Sequence, residues 1–195
     1  MIPFFIVLLA AYLIGAIPTG LLLTRLTGGG DIRRTGSGNI GATNVYRSSR
    51  KLGVLTLVGD TLKGVIPLLA AILWLQYDQG RIGAVAVAAF IGHCFPVYIG
   101  FKGGKGVATA LGIYLVLSPL AVLGAFLIFV GTVWKWRYIS LGSLCAAATI
   151  PPLIWFTQKS LPLLLASLVI SGIVIARHRA NIQRLLVGNE NTFRL

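Results

Sequence analysis

The chain has 195 residues, of which 56% are hydrophobic and 11% charged, and its mean hydropathy is +0.89. Soluble domains carry about 25% charged residues. This chain cannot cover a soluble globule with polar surface, and it has too much apolar surface to stay disordered. Its 17 Lys and Arg stand against 4 Asp and Glu, a net charge of +13. In a membrane protein that excess collects in loops on one side, so nucleic acid is not implied. The expected fold is an all-α integral membrane protein, one polytopic domain over residues 1–195.

The uncharged run from Ile2 to Thr24 is long enough to span a bilayer. It lacks a basic leader and reads as a retained first helix rather than a cleaved signal. A basic, glycine-rich segment follows from Arg25 to Lys51. Leu52 to Gln76 is a second span, interrupted by Asp60, Lys63 and Pro67. Ile82 to Ile99 is a third and carries His93.

Val107 to Trp134 is uncharged and has Ser118-Pro119 near its middle. As one span it splits the basic residues almost evenly between the two sides. As two short helices of about 14 residues, hinged at Ser118-Pro119, it leaves only Arg81 and Lys159 on the outer side. Seven helices are therefore expected, with the N-terminus outside and the C-terminus cytoplasmic. Helices of about 14 residues are about 21 Å long and call for a thinned bilayer or protection by neighbours. Tyr138 to Thr157 and Leu161 to Ala176 complete the set. Cys94 and Cys145, in apolar surroundings, read as small core residues.

In this topology three polar segments share the cytoplasmic face: 35–47 (TGSGNIGATNVYR), 100–109 (GFKGGKGVAT) and 178–193 (HRANIQRLLVGNENTF). The first formally contains G-x-G-x-x-G but has no preceding strand, which removes a dinucleotide fold. Its glycines still let backbone N–H groups approach an anion. Ser37, Asn39, Thr43 and Asn44 add donors, and Arg47 adds a planar fork suited to phosphate. In the second segment Lys105 is followed by Gly106 where a P-loop needs Ser or Thr, so nucleotide hydrolysis is not expected. Four glycines and two lysines opening a helix at Val107 still make an anion nest. In the third, His178 and Asn181 are three apart and share a face if the last helix continues.

Other residues read as structural. His93, inside a span, is expected to bond between helices. Asp60 and Lys63, three apart, form an intramembrane pair that fixes packing near the site. Ser140 and Ser143 open the sixth span on the cytoplasmic side. Glu190 is expected to partner a nearby basic residue. No carboxylate pair and no metal-ligand cluster stands out in the sequence, and no cofactor is implied. The positions five after the histidines are Tyr98 and Gln183, so the His-x₄-Asp arrangement of many acyl-CoA acyltransferases is missing. Chemistry with so few bases needs an activated substrate, with cations and backbone donors stabilising the leaving group and the oxyanion.

The three segments together resemble the PlsY family of bacterial acyl-phosphate:glycerol-3-phosphate acyltransferases. GSGNIGATN at 36–44, GHCFPVYIGFKGGKGVAT at 92–109 and HRANIQRLLVGNE at 178–190 match every fixed position of its three patterns. The resemblance implies transfer of an acyl group from acyl-phosphate to the sn-1 hydroxyl of glycerol 3-phosphate. The products are lysophosphatidic acid and inorganic phosphate, in the first step of phospholipid synthesis at the bacterial inner membrane. Ser37, Gly38, Asn39 and Thr43, with Gly103, Gly104, Lys105 and Gly106, are then expected to hold acyl-phosphate. Arg47, Lys105, Ser143, His178 and Asn181 are expected to hold glycerol 3-phosphate. Ser37, Lys105, His178 and Asn181 are the catalytic candidates. Either His178 or a substrate phosphate oxygen takes the hydroxyl proton. A monomer in lipid is expected, with the acyl chain between short helices. The competing reading is a membrane transporter of a small phosphorylated solute, against which stand the lack of a repeat and the one-sided clustering of donors.

Overall fold

The computed structural model describes residues 2–193. Among these residues the regular structure is entirely helical: α1 (Ile2–Ala16), α2 (Thr19–Leu26), α3 (Ala42–Ser48), α4 (Arg50–Leu69), α5 (Gln79–Cys94), α6 (Val107–Leu117), α7 (Pro119–Trp136), α8 (Ile139–Gln158), α9 (Leu161–Arg177) and α10 (Arg179–Leu186). The chain divides into two compact units, one ending at Val116 and the other beginning at Leu117.

Helix starts follow side-chain chemistry. Ser49, Asp78, Ser118 and Ser160 each accept a hydrogen bond from a backbone N–H three residues on, at the heads of α4, α5, α7 and α9. Such caps satisfy N–H groups that a helix leaves orphaned. Pro119 follows its cap at the position where a missing N–H costs nothing. The hinge expected at Ser118-Pro119 is present, but its two arms are unequal: α6 has 11 residues and α7 has 18. The Ser118 hydroxyl also donates to Thr157 Oγ1 at 2.9 Å, joining the head of α7 to the end of α8.

The first expected span is not one helix. It breaks at Ile17-Pro18 and its halves, α1 and α2, meet at 44°. Proline lacks the N–H that would continue the ladder and steers the preceding residue away from the helical region. The last span breaks too: α9 and α10 are bent by 55° at His178. His178 and Asn181 are therefore not on one continuous helix. In α4, Pro67 lies within the helix, which widens into a π turn at Ala70–Trp74.

Among the described residues, four helical segments are long and apolar enough to cross a membrane, or up to six if each bent pair counts as one span; α6 is a shorter apolar helix. Lipid is the solvent that suits their surfaces. On α7, Leu120 is 67% exposed and Leu127 63%, on a helix with mostly apolar neighbours. Rows of this kind are unstable against water and at ease against acyl chains.

In the first unit, α1 packs on α5 with backbones in contact. A methyl group at Gly15 would collide with the Ala89 carbonyl, and one at Gly92 with the Tyr12 carbonyl. Gly64 and Gly112 bring α4 and α6 together in the same way, against Thr109 and Thr61. Small residues at such crossings are what membrane helices use in place of a hydrophobic driving force. In the second unit α8 packs between α7 and α9. Arg137 and Lys159 close α7 and α8 in left-handed conformation, turning the chain back each time.

Candidate functional site

The first unit holds two of the three polar segments. Leu21, Ile32, Ile40 and Val45 form a buried apolar cluster against which Leu52 and Ile99 pack. Ile40 lies in the first segment and Ile99 opens onto the second, so one cluster anchors both loops.

Asn44 shapes the first loop. Its Oδ1 accepts from Ser37 N at 2.9 Å, and its Nδ2 donates to the carbonyls of Ile32, Thr35 and Asn39 at 3.2, 3.1 and 2.9 Å. The side chain is 3% exposed. Asn44 was expected to offer a donor to an anion; its polar atoms are instead turned inward, onto the loop's own backbone. A Cβ at Gly36, whose φ is +55°, would strike Asn44 Oδ1. Around this knot Ser37, Gly38, Thr43 and Arg47 are exposed and Asn39 is half-buried. The loop is held from below, leaving exposed donors on its outer side.

Before this loop, Asp31 caps the turn Ile32–Arg34 and gathers Arg33 and Arg25, at 2.6 and 3.1 Å. The Arg33 hydrogen bonds hold its carboxyl far below the ordinary carboxylate range, with Arg25 assisting. Sequence reading passed over Asp31; an Asp two residues before Arg in a glycine-rich stretch was the available signal.

The second loop wraps the end of α5. Gly104 N donates to the His93 carbonyl at 3.2 Å, and Phe101 N to the Pro96 carbonyl at 2.9 Å. A side chain at Gly103 would strike the His93 carbonyl and the Pro96 ring; one at Gly106 would strike the Phe90 ring. Gly104 and Gly106 are buried, while Gly103 and Lys105 are half-buried. Beneath lies a charged group: Lys63 Nζ is 2.7 Å from Asp60 Oδ1 and 3.2 Å from His93 Nδ1. The expected pairing of Asp60 with Lys63 and the interhelical bond of His93 are both present.

The second unit holds Ser143, His178 and Asn181, all buried. His178 is the residue at the break between α9 and α10, and its Nδ1 lies 2.8 Å from the Val174 carbonyl. A carbonyl only accepts, so Nδ1 carries the hydrogen and Nε2 presents a lone pair in the neutral ring. Glu190 gathers the rest. Its Oε1 accepts from Asn181 Nδ2 at 2.7 Å and from Ser140 Oγ at 2.9 Å, and its Oε2 from Arg184 Nε at 2.7 Å. Burial alone would push the Glu190 carboxyl up; the bonds from Asn181, Arg184 and Ser140 outweigh it and hold the group below its ordinary value. The expected basic partner of Glu190 is thus Arg184, while its hold on Asn181 and Ser140 was not foreseen. Ser143, one turn along α8 from Ser140, donates to the Ile139 carbonyl at 2.9 Å.

The glycine loops present exposed donors, and the Glu190 carboxylate binds Asn181, Ser140 and Arg184. The family model for glycerol-3-phosphate acyltransferase matches residues 5–188. The chain belongs to the glycerol-3-phosphate acyltransferase family. A glycerol-3-phosphate acyltransferase of Syntrophotalea carbinolica is 66% identical over 195 residues, covering 100% of both chains. One from Geobacter sulfurreducens is 54% identical over 94% of each. The fold is similar to crystal structures of PlsY, an integral membrane glycerol 3-phosphate acyltransferase. Its glycerol 3-phosphate form has a TM-score of 0.93 at 40% identity, covering 98% of this chain and 96% of that one. Its lysophosphatidic acid form gives 0.91 at 39% with the same coverage. The integral membrane fold expected from composition and the acyltransferase class expected from the three motifs both hold.

Proposed function

We propose that the protein transfers an acyl group from acyl-phosphate to the sn-1 hydroxyl of glycerol 3-phosphate, releasing lysophosphatidic acid and inorganic phosphate. The observation that carries this reading is the first loop, whose backbone is fixed from inside by Asn44 while Ser37, Thr43 and Arg47 stay exposed. A loop built in that way suits a dianionic phosphate better than a neutral thioester, because its donors are already oriented before the anion arrives. The solved relatives' glycerol 3-phosphate and lysophosphatidic acid forms support the acceptor and the product.

The residue roles follow the same chemistry. Ser37, Gly38, Asn39 and Thr43, with Gly103, Gly104, Lys105 and Gly106, hold the acyl-phosphate group. Arg47, Lys105, Ser143, His178 and Asn181 bind glycerol 3-phosphate. Ser37 and Lys105 stabilise the charge that gathers on the departing phosphate and the carbonyl oxygen. Asn181 and His178 orient the acceptor, with His178 Nε2 accepting the hydrogen of the sn-1 hydroxyl. Proton transfer then ends on Nε2 or on a phosphate oxygen, and carboxylate assistance is unnecessary because phosphate is a good leaving group.

The membrane arrangement is part of the proposal. Counting each bent pair as one span, with α6 as a seventh crossing, puts the N-terminus outside and the C-terminus on the cytoplasmic side. All three polar segments then face the cytoplasm of a bacterial inner membrane, as the positive-inside bias asks. A monomer suffices. An open, mostly apolar groove of about 320 Å³, lined by Ile17, Leu21, Leu22 and Ile99 with Arg25, is the right kind of surface for an acyl chain.

The test is phosphate release by purified protein in lipid, with acyl-phosphate and glycerol 3-phosphate supplied separately and together, and acyl-CoA as control donor. Release that needs both, with lysophosphatidic acid formed and acyl-CoA untouched, is the expected result. Turnover of acyl-CoA, or no product from folded protein, rejects it.

A further inference from the structure

Lys63 is 5% exposed, Asp60 2% and His93 4%, a costly burial of charge unless every donor is met. An ammonium has three N–H bonds and no acceptor. Lys63 Nζ donates to the Ile17 carbonyl at 2.7 Å and forms an ion pair with Asp60 Oδ1 at 2.7 Å, and His93 Nδ1 is a third acceptor at 3.2 Å. The Ile17 carbonyl belongs to the break between α1 and α2, where it also accepts from Thr19 N at 2.9 Å. The third acceptor decides the state of His93. To receive a hydrogen from Lys63, Nδ1 must carry a lone pair, so in the neutral ring the hydrogen sits on Nε2. That edge of the ring lies against Gly104, where an added methyl group would strike it. The His93 carbonyl meanwhile receives Gly104 N at 3.2 Å.

We infer that Asp60, Lys63 and His93 form a positioning relay for the phosphate-binding loop at Gly103–Gly106. Asp60 holds Lys63, Lys63 fixes His93 as an Nε2–H donor, and the ring and carbonyl of His93 together set the loop's backbone. None of the three is a catalytic residue; they act through the loop. Substrate phosphate then meets a loop of fixed shape, so the relay governs affinity for the anion rather than the chemical step. The inference rests on the assignment of that loop to acyl-phosphate, and it adds the reason for charged residues inside the membrane.

Two measurements test it. The chain contains 2 histidines, so ¹⁵N-histidine labelling of the full protein in nanodiscs gives two ring systems, told apart with a His178→Gln variant. His93 is expected as the Nε2–H tautomer, losing that preference in Lys63→Met, and inorganic phosphate is expected to shift its Nε2 signal. An Nδ1–H or doubly protonated ring in the wild type, or no response to phosphate, overturns the relay. This arm needs no turnover, so it stands apart from failure of the acyl-phosphate reading itself.

The kinetic arm compares His93→Leu with His93→Gln, whose amide N–H can reach the place of Nε2–H. The KM for acyl-phosphate is expected to rise about tenfold in His93→Leu, with a smaller rise for glycerol 3-phosphate, whose proposed site shares only Lys105 with this loop. Gln is expected to recover most of the loss. Wild-type kinetics in His93→Leu, or equal losses for both substrates without rescue by Gln, contradict it.

Discussion

The imidazole of His93 occupies the space that a side chain at Gly104 would need. The same residue's carbonyl, with the Pro96 ring and the Cys94 carbonyl, occupies the space beside Gly103. The two obstacles differ in kind, because a ring can be removed by mutation and a carbonyl cannot. Gly104→Ala is expected to destabilise the protein by about 1–3 kcal/mol through overpacking. In combination with His93→Ala its effect should largely vanish, whereas Gly103→Ala and His93→Ala should add. Thermal unfolding of the single and double variants in one detergent reads both cycles. Additivity for the Gly104 pair contradicts the packing described.

Asn44 ties four backbone groups with one side chain. Asn44→Ala is expected to weaken acyl-phosphate binding strongly, because buried backbone groups left unpaired cost about 1–3 kcal/mol each. Asn44→Asp keeps the acceptor for Ser37 N but turns a second oxygen towards three carbonyls, so it should be no better than Ala. Steady-state KM values for both substrates check this. An active Asn44→Asp enzyme with normal KM argues against the knot.

Glu190 provides a pH signature. Its carboxyl lies below its ordinary value of 4.5 in the folded chain, so the unfolded chain binds the proton more readily. Its contribution to stability is complete above that ordinary value and is lost as the pH falls through the lower folded value. Melting temperature followed from neutral pH down to pH about 3 should therefore fall less steeply in Glu190→Gln than in wild type. The variant should start lower at neutral pH, because the charged bond to Arg184 is gone. Parallel curves dismiss the assignment.

His178 is held by Nδ1 on the Val174 carbonyl, and on the proposed function its Nε2 meets the acceptor substrate. His178→Ala is expected to raise the KM for glycerol 3-phosphate by about three- to tenfold, the scale of a lost hydrogen bond between neutral groups. The pH dependence of kcat in the same variant decides the fate of the proton. Loss of one limb makes Nε2 the base; an unchanged profile with a reduced rate gives the proton to a phosphate oxygen.

The sequence carried these elements unevenly. The Ser118-Pro119 hinge was legible because two independent signals agreed, a cap followed by proline and the placement of arginine and lysine. The break at Ile17-Pro18 was not, because hydropathy registers composition and is blind to chain direction, so one proline in an apolar run was absorbed into the span. Motif spacing marked both glycine loops, yet it could not separate residues that face a ligand from those that build the loop. Asn44 and Thr43 are neighbours of similar chemistry, and only packing turns one inward and leaves the other exposed. Glu190 followed the same pattern: a lone acid among arginines suggested one partner, and the fold supplied two further donors from Ser140 and Asn181.

Gly15 with Gly92, and Gly64 with Gly112, bring main chains so close that no side chain separates them. Helices joined in this way have no rotamers to exchange at the crossing and little room to slide. At those two crossings the first unit is consequently a stiff frame, and bending is left to its non-helical joints. On the proposed function, a long acyl chain is then expected to be accommodated by bending at such joints rather than by rearrangement of the bundle.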